Sequence, residues 1–347
     1  MYPRLEINLS KIYGNARYLQ QLCQKSGIEV AGVTKVVCGN PLIAREMIHA
    51  GMQMIADSRI QNIVHLLENG IDHPMMLLRI PMGSELEDVN RYLDYVLVSE
   101  ESTVKEIIQL PGGKQPKLIY MVDVGDLREG VWMDTATDEI MRVMKVANDR
   151  LVGVGINLGC FGGVLPDSVN MKKAVEVANR FALPIVSAGN TAALKLIEDG
   201  TLPEGVNHFR LGESIILGTD VTRNRTVPGT TQDACMIGAQ VVELKEKPSV
   251  PIGTIGQDAF GRVPTFEDRG TRIRVILAMG EQDISPGGLV PIEDGIEVLH
   301  ASSDHTLLDC TEYTKKLNVG DILWFRMSYG ALLRAMTSPY VSKGFVV

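Results

Sequence analysis

Eight short, nearly uninterrupted apolar runs recur between residues 30 and 213: VAGVTK, MQMIAD, MMLLRI, YVLVSE, KLIYMVDVG, LVGVGINLG, LPIVSAGN and FRLGE. They end near Lys35, Asp57, Ile80, Glu100, Gly125, Gly159, Asn190 and Glu213, with amphipathic stretches between them. Apolarity that continues rather than alternates belongs to strands covered on both faces, so the sheet is expected to be parallel. Helix-start signals precede the intervening stretches: Asn40-Pro41 before LIAREMIHAG, Ser99 before EESTVKEIIQL, and Pro166-Asp167-Ser168 before VNMKKAVEVANRF. Gly51, Gly70 and Gly200 are expected to stop three of these helices. A helix from Leu9 to Ser26 followed by this alternation predicts a (β/α)8 barrel over residues 1–225, with its site at the C-terminal ends of the strands. An open doubly wound sheet is the competing topology.

The pattern changes from Thr226 to Val347. Short strand-like runs (ACMIGAQVVEL, RIRVILAMG, IEVLHAS, HTLLDCT, DILWFRM) lie between Gly, Pro and Asp turns, which predicts a small all-β domain over residues 226–347. A chain of 347 residues with 45% hydrophobic content is long enough for both. Its 34 basic against 42 acidic residues leave a net charge of -8, which repels a phosphate backbone or an acidic lipid surface and points to small-molecule partners. Cys23, Cys38, Cys160, Cys235 and Cys310 form no CxxC pair, so neither a disulfide framework nor a zinc knuckle is expected, and a reducing, cytoplasmic setting fits. The start MYPRLEINLSKIYGN has no apolar core of signal-peptide length, and no segment approaches the ~20 apolar residues that cross a bilayer.

If the barrel forms, its strand ends gather Lys35, Asp123 with nearby Arg128, Asn157, Asn190 with Thr191, and Arg210 with Gly212. The last two strands of such barrels commonly bind phosphate, and SAGNTAAL offers a side-chain amide, a hydroxyl and helix N-terminal amides to an anion. Gly212 lets the backbone come close to the same oxygens. Each residue also has a plain structural reading. Lys35 could reach solvent, Arg210 could pair with a barrel carboxylate, and Asn190-Thr191 could cap the following helix. Cys38, so near Lys35, could simply pack.

Taken together, VTKVV, VDVGDLREG, SAGNTAAL, FRLGE and MSYGALLRA resemble the alanine racemase superfamily of fold-type III pyridoxal phosphate enzymes over almost the whole chain. The segments VTKVVCG, PSVPIG, GQDAFG and GEQDI resemble its ornithine and lysine racemase branch. The resemblance implies that Lys35 is the Schiff-base lysine, that Arg128 contacts the cofactor phenolic oxygen and the substrate, and that Arg210 faces the pyridine nitrogen. Asn190, Thr191 and Gly212 fall on phosphate contacts. Asn157 takes the place of a histidine near that arginine, and Tyr329 matches a tyrosine lining cofactor and substrate. The amine of Lys35 would move the Cα proton on one face of a planar carbanion, and a second acid must serve the other.

Alanine racemases use a tyrosine from the partner's β domain for that second step, whereas the corresponding VPIGTIGQDAFG contains none. Asp258 is the candidate there, with a raised pKa expected if its carboxyl is held between apolar neighbours and residues of the partner; an ordinary turn residue or Asx cap is the alternative. Where the superfamily has further tyrosines this chain reads VVCGN and GEQDI, so that Glu281 and Asp283 would make the site negative and suit a cationic side chain, with structural carboxylates in β turns as the equal alternative. Asp304 falls beside a substrate-carboxylate loop. The resemblance therefore implies a homodimeric ornithine racemase, with lysine or a wider basic set as the nearest alternative substrates. A non-catalytic pyridoxal phosphate homeostasis protein and a decarboxylase are the competing functions. The appended β domain speaks against the first; the second is disfavoured because such decarboxylases are longer and use a cysteine acid in their β domain.

Overall fold

The computed structural model describes residues 1–347, which divide into two compact units, Leu9–Thr231 and Met1–Asn8 with Gln232–Val347. Strand β1 (Arg4–Asn8) belongs to the second. The first includes a short hairpin of β11 (Thr219–Asp220) and β12 (Arg225–Thr226) and, ahead of it, β2 (Glu29–Val33), β3 (Met54–Asp57), β4 (Met75–Leu77), β5 (Tyr95–Val98), β6 (Lys117–Asp123), the two-residue β7 (Val131–Trp132), β8 (Leu151–Gly155), β9 (Ile185–Gly189) and β10 (His208–Leu211). Their order is β5-β4-β3-β2-β10-β9-β8-β6, and β5 pairs with β6, so the parallel sheet closes into a barrel and the open doubly wound alternative is excluded. Strand β7 only extends the edge of β6.

The interior is filled by Ala31, Val33, Met54, Ala56, Met76, Leu97, Ile119 and Met121, all buried. Burying a side chain of the Val, Leu or Met size contributes about 1.5–3 kcal/mol, which is why strands with no polar face form here. The helices start and stop as their residues dictate. Asn40 Oδ1 accepts from the Leu42 and Ile43 amides with Pro41 in the first position, and Asp167 accepts from Val169 and Asn170 while the Asn170 side chain answers the Asp167 amide. Ser99 does not cap its helix; Glu100 stands there in an extended conformation without a side-chain bond. Gly51, at φ +96, ends the helix Pro41–His49 in a backbone conformation that a β-carbon disfavours.

The second unit is a β-sheet ordered β15-β18-β13-β14-β17-β16, from β13 (Cys235–Pro248), β14 (Thr271–Leu277), β15 (Leu289–Pro291), β16 (Glu297–Ala301), β17 (Thr306–Asp309) and β18 (Ile322–Met327). All five expected strand runs lie in it. It differs from the expected division at 225/226 in beginning at Gln232 and in taking the first eight residues as well. Strand β1 runs antiparallel to β13 and parallel to β19 (Ser342–Val346), burying the alternate residues Leu5 and Ile7. The unit also holds a helix, Tyr329–Thr337, begun by Ser328, whose hydroxyl accepts from the Ala331 amide. No helix is long and apolar enough to cross a membrane.

Candidate active site

Lys35 stands just beyond β2, opening the short turn Lys35–Val37. Its position is set by Thr34, whose amide donates to Ala56 O (2.9 Å) and whose hydroxyl donates to Asp57 Oδ2 (2.7 Å). Asp57, buried at the end of β3, also accepts from the Arg59 amide and the Asn62 side chain, both at 3.0 Å. Lys35 remains accessible at its surface, yet enough protein surrounds the amine that desolvation lowers its pKa. Cys160 and Asp57 oppose the shift, and the cations Arg128 and Arg210 add to it. Cys38, half-buried at φ 52, ends the turn.

Arg210, on β10, is buried without a carboxylate partner. Its Nη1 donates to Ser187 O (2.6 Å) and to Ser187 Oγ, and its Nη2 to Ile156 O (2.8 Å). Desolvation lowers its pKa to about 10 against the pull of Glu129 and Cys160, with Arg128 adding to the fall. A guanidinium only donates, so the Ser187 hydroxyl hydrogen is left for His208 Nδ1 at 2.7 Å. That assignment puts the remaining ring proton on Nε2, a buried nitrogen without a partner. Burial, with Arg210 adding, pushes the His208 pKa down to about 3.

A stability consequence follows. Between the ordinary histidine pKa of 6.5 and about 3 the unfolded chain binds a proton that the folded one refuses, so stability is complete above pH 6.5 and falls as pH drops through that window. The expected slope is about 1.4 kcal/mol per pH unit, and His208→Asn should flatten it. Melting temperatures of the two proteins between pH 7 and pH 4 test this; parallel curves would remove His208 from the acid response.

The corner expected to hold phosphate is formed by the ends of β9 and β10. Thr191 Oγ1 donates to Ser214 Oγ (3.1 Å) and accepts from the Ser214 amide (3.2 Å). A β-carbon on Gly212 would lie 3.1 Å from Val33 Cβ, so β2 and β10 approach closely there. Asn190 behaves as the helix cap of its plain reading, accepting from the Ala192 amide and donating to Leu158 O at 2.7 Å.

Arg128 lies on the loop after β6. Asp123 accepts from the Gly125 and Leu127 amides, and Gly130, at φ +124, presses so near β6 that a β-carbon would sit 2.7 Å from the Asp123 nitrogen. Between these two anchors, Arg128 Nη1 donates to Glu129 Oε1 (3.0 Å), and Asn157 Nδ2 donates to the same oxygen (3.1 Å). The partner of Asn157 is thus Glu129, while Arg210 takes the carbonyl of Ile156. Cys160 Sγ donates to Asn157 Oδ1 at 3.4 Å. Asp126, fully buried, joins this loop to the one after β8: it accepts from the amides of Gly159, Cys160 and Val164 (3.1 Å each) and Phe161 (2.8 Å). Desolvation raises its pKa, but the four amides outweigh that and hold the carboxylate below its ordinary range.

The other expected site residues lie in the β unit. The raised pKa expected of Asp258 is not found. The Arg262 amide bond lowers it foremost, opposed by some desolvation and reinforced by His300, the Phe260 amide and the Arg262 guanidinium, to well below the carboxylate range. Asp258 is the capped turn residue of its plain reading, and in this state it is an ionised base that cannot donate a proton. Glu281 is bound by Arg262 (2.5 Å) and lies 3.6 Å from Arg334, so its charge is already answered. Asp283 is buried and accepts from the Gly280 amide and Ser338 Oγ (2.9 Å), the arrangement of a structural turn carboxylate. Asp304 accepts from Gln282 and from Ser303 Oγ (2.6 Å). Tyr329 opens its helix, partly exposed. Sequence reasoning missed Thr34, Asp57, Asp126, Glu129, Ser187, His208 and Ser214. Only Glu129 carried a local signal, a second charge beside Arg128.

Residues 7–220 match the family described as alanine racemase, N-terminal domain. Among curated proteins, the lysine racemase of Thermotoga maritima is 47% identical over 99% of this chain and 98% of its own. The ornithine racemase of Acetoanaerobium sticklandii is 42% identical over 99% of both. Among solved structures, an alanine racemase from Bacillus anthracis with bound L-Ala-P superposes with a TM-score of 0.69 at 16% identity, covering 99% of this chain and 95% of that one. D-threo-3-hydroxyaspartate dehydratase from Delftia sp. HT23 gives a TM-score of 0.71 at 15% identity, over 100% and 95%. These two likenesses concern the fold.

Proposed function

The chain belongs to the family of the alanine racemase N-terminal domain, and from that membership we propose that it is a pyridoxal phosphate-dependent racemase of basic α-amino acids, with ornithine or lysine as its substrate. The observation that carries this reading is Lys35, an accessible amine with a lowered pKa in the same barrel mouth as Arg128 and Arg210. The names of the two curated relatives support the substrate class.

The residues fit the cofactor. Arg210 carries a charge answered only by neutral oxygens, Lys35 has an amine inclined to lose its proton, and the Thr191–Ser214 corner has hydroxyls to offer an anion. Pyridoxal phosphate, when bound, supplies an aldehyde that takes up amines and a ring that accepts the electron pair left by a departing Cα proton. Lys35 would anchor it and afterwards carry the Cα proton on one face. Arg210, a donor with a high pKa, would keep the ring nitrogen unprotonated and so restrain the electron withdrawal. Arg128 would take the cofactor's phenolic oxygen and the substrate carboxylate, with Thr191 and Gly212 toward the phosphate. The acid for the opposite face is left to a group other than ionised Asp258. Exposed Leu127 and Phe161 are apolar surface that a second copy would cover in the expected head-to-tail homodimer, closing the mouth to water. Sedimentation reads that state.

Incubation of a panel of L-amino acids with cofactor-loaded protein, followed by chiral chromatography, tests the proposal. L-Ornithine and L-lysine are expected to approach racemic mixtures, and in deuterium oxide to gain deuterium at Cα. A non-catalytic cofactor carrier would give neither, and a decarboxylase would release carbon dioxide. Either result overturns the reading.

A further inference from the structure

The carboxylates of the barrel mouth differ in what already occupies them. Asp57 is taken by Thr34, Asn62 and an amide, Asp123 by two amides, Asp126 by four, and Glu213 by the Thr219 hydroxyl and the Val221 amide. Glu129 alone among these is held only by side chains, those of Arg128 and Asn157, and both bind its Oε1, leaving Oε2 for another donor. Its side chain is 15% exposed, enough for a small molecule to reach it and little enough for an unanswered charge to be costly. It also acts on Arg210 through space, so it lies within the field of the mouth.

Resting on the racemase reading above, we infer that Glu129 selects the cationic side chain of the substrate. An entering amino acid draws Arg128 away to its own α-carboxylate. A neutral amino acid then leaves Glu129 with Asn157 alone, whereas a diamino acid brings a side-chain ammonium that takes the place Arg128 has vacated. One ion pair is exchanged for two, and the discrimination comes as much from the penalty on neutral amino acids as from attraction to basic ones. The β-unit carboxylates expected for this task, Glu281, Asp283 and Asp304, already have local donors.

The test compares L-ornithine with L-norvaline, which has the same carbon skeleton without the ammonium. Glu129→Gln is expected to lower the ornithine-to-norvaline ratio of kcat/KM by about 30-fold, the scale of one lost charge-assisted contact, through a raised KM for ornithine and a lowered KM for norvaline. Glu129→Asp should recover part of it. A ratio that moves by less than about threefold overturns the inference, as does an equal loss for both substrates, which is what mere misplacement of Arg128 would produce. The same contrast is read without turnover by calorimetric titration of both amino acids into Lys35→Ala protein supplied with cofactor, with and without Glu129→Gln. Should the parent protein racemise nothing, the racemase reading fails, and the titration still decides Glu129.

Discussion

Lys35→Ala is expected to give a folded protein that has lost racemisation by at least about 10⁴-fold and shows no lysine-linked cofactor absorbance band. The loss combines two roles, since the same nitrogen would tether the cofactor and then move the Cα proton. Desolvation of the amine, aided by the cations Arg128 and Arg210, brings its pKa below the ordinary 10.5, so free base is available at lower pH than for a surface lysine. Lys35→Arg should be equally inactive, because a guanidinium neither condenses with an aldehyde nor gives up a proton near neutrality. Folding should be spared. Lys35 lies past the end of β2, and removing a partly desolvated cation relieves a cost while leaving the barrel core intact. The visible spectrum, a chiral assay and a thermal melt decide the matter; a variant that still racemises would sink the assignment.

Asp126→Asn should cost about 3 kcal/mol where the β6 and β8 loops meet, the scale for breaking a buried, fully bonded charge. The carboxylate receives two amides on each oxygen, and an asparagine turns one of those acceptors into a donor, leaving one pair of amides facing N–H groups. The chain from Gly159 to Val164 would come loose, taking with it Asn157, which steadies Glu129, and Cys160, which contributes to the field at Lys35. Hydrogen exchange at the amides of Gly159, Cys160, Phe161 and Val164 should quicken selectively, and activity should fall while cofactor absorbance persists. Unchanged protection at those amides would refute the clamp. Because the folded pKa is lowered, this stabilisation is present above the ordinary aspartate value and is lost as pH falls below it, a more acidic range than the one governed by His208.

The barrel was legible because it is periodic. Runs such as KLIYMVDVG announce strands buried on both faces, and a lysine at the end of one of them is placed by topology alone. Residues that meet across large gaps in the chain were not legible. Nothing near Asp126 announces that amides 33 to 38 residues later will surround it, and nothing near Ser187 announces that Arg210 and His208 will share its hydroxyl. Asp258 is the opposite case. Its neighbours in GQDAFG suggest an apolar setting, whereas within one chain its carboxylate is held by Arg262 four residues later and by His300. Strand β1 was missed because five residues carry too little alternation to be told from a helix lead-in, and its partners lie at Cys235–Gly238 and Ser342–Val346.

That last arrangement has a bearing on biosynthesis. Strand β1 rests between two neighbours made much later, Cys235–Gly238 and Ser342–Val346. Barrel residues can complete their ring while this leading segment waits, an unsatisfied edge tethered to a nascent polypeptide. Completion of the β unit therefore waits until residues 342–346 have been made, and losing either Arg4–Asn8 or Ser342–Val346 would strand the other.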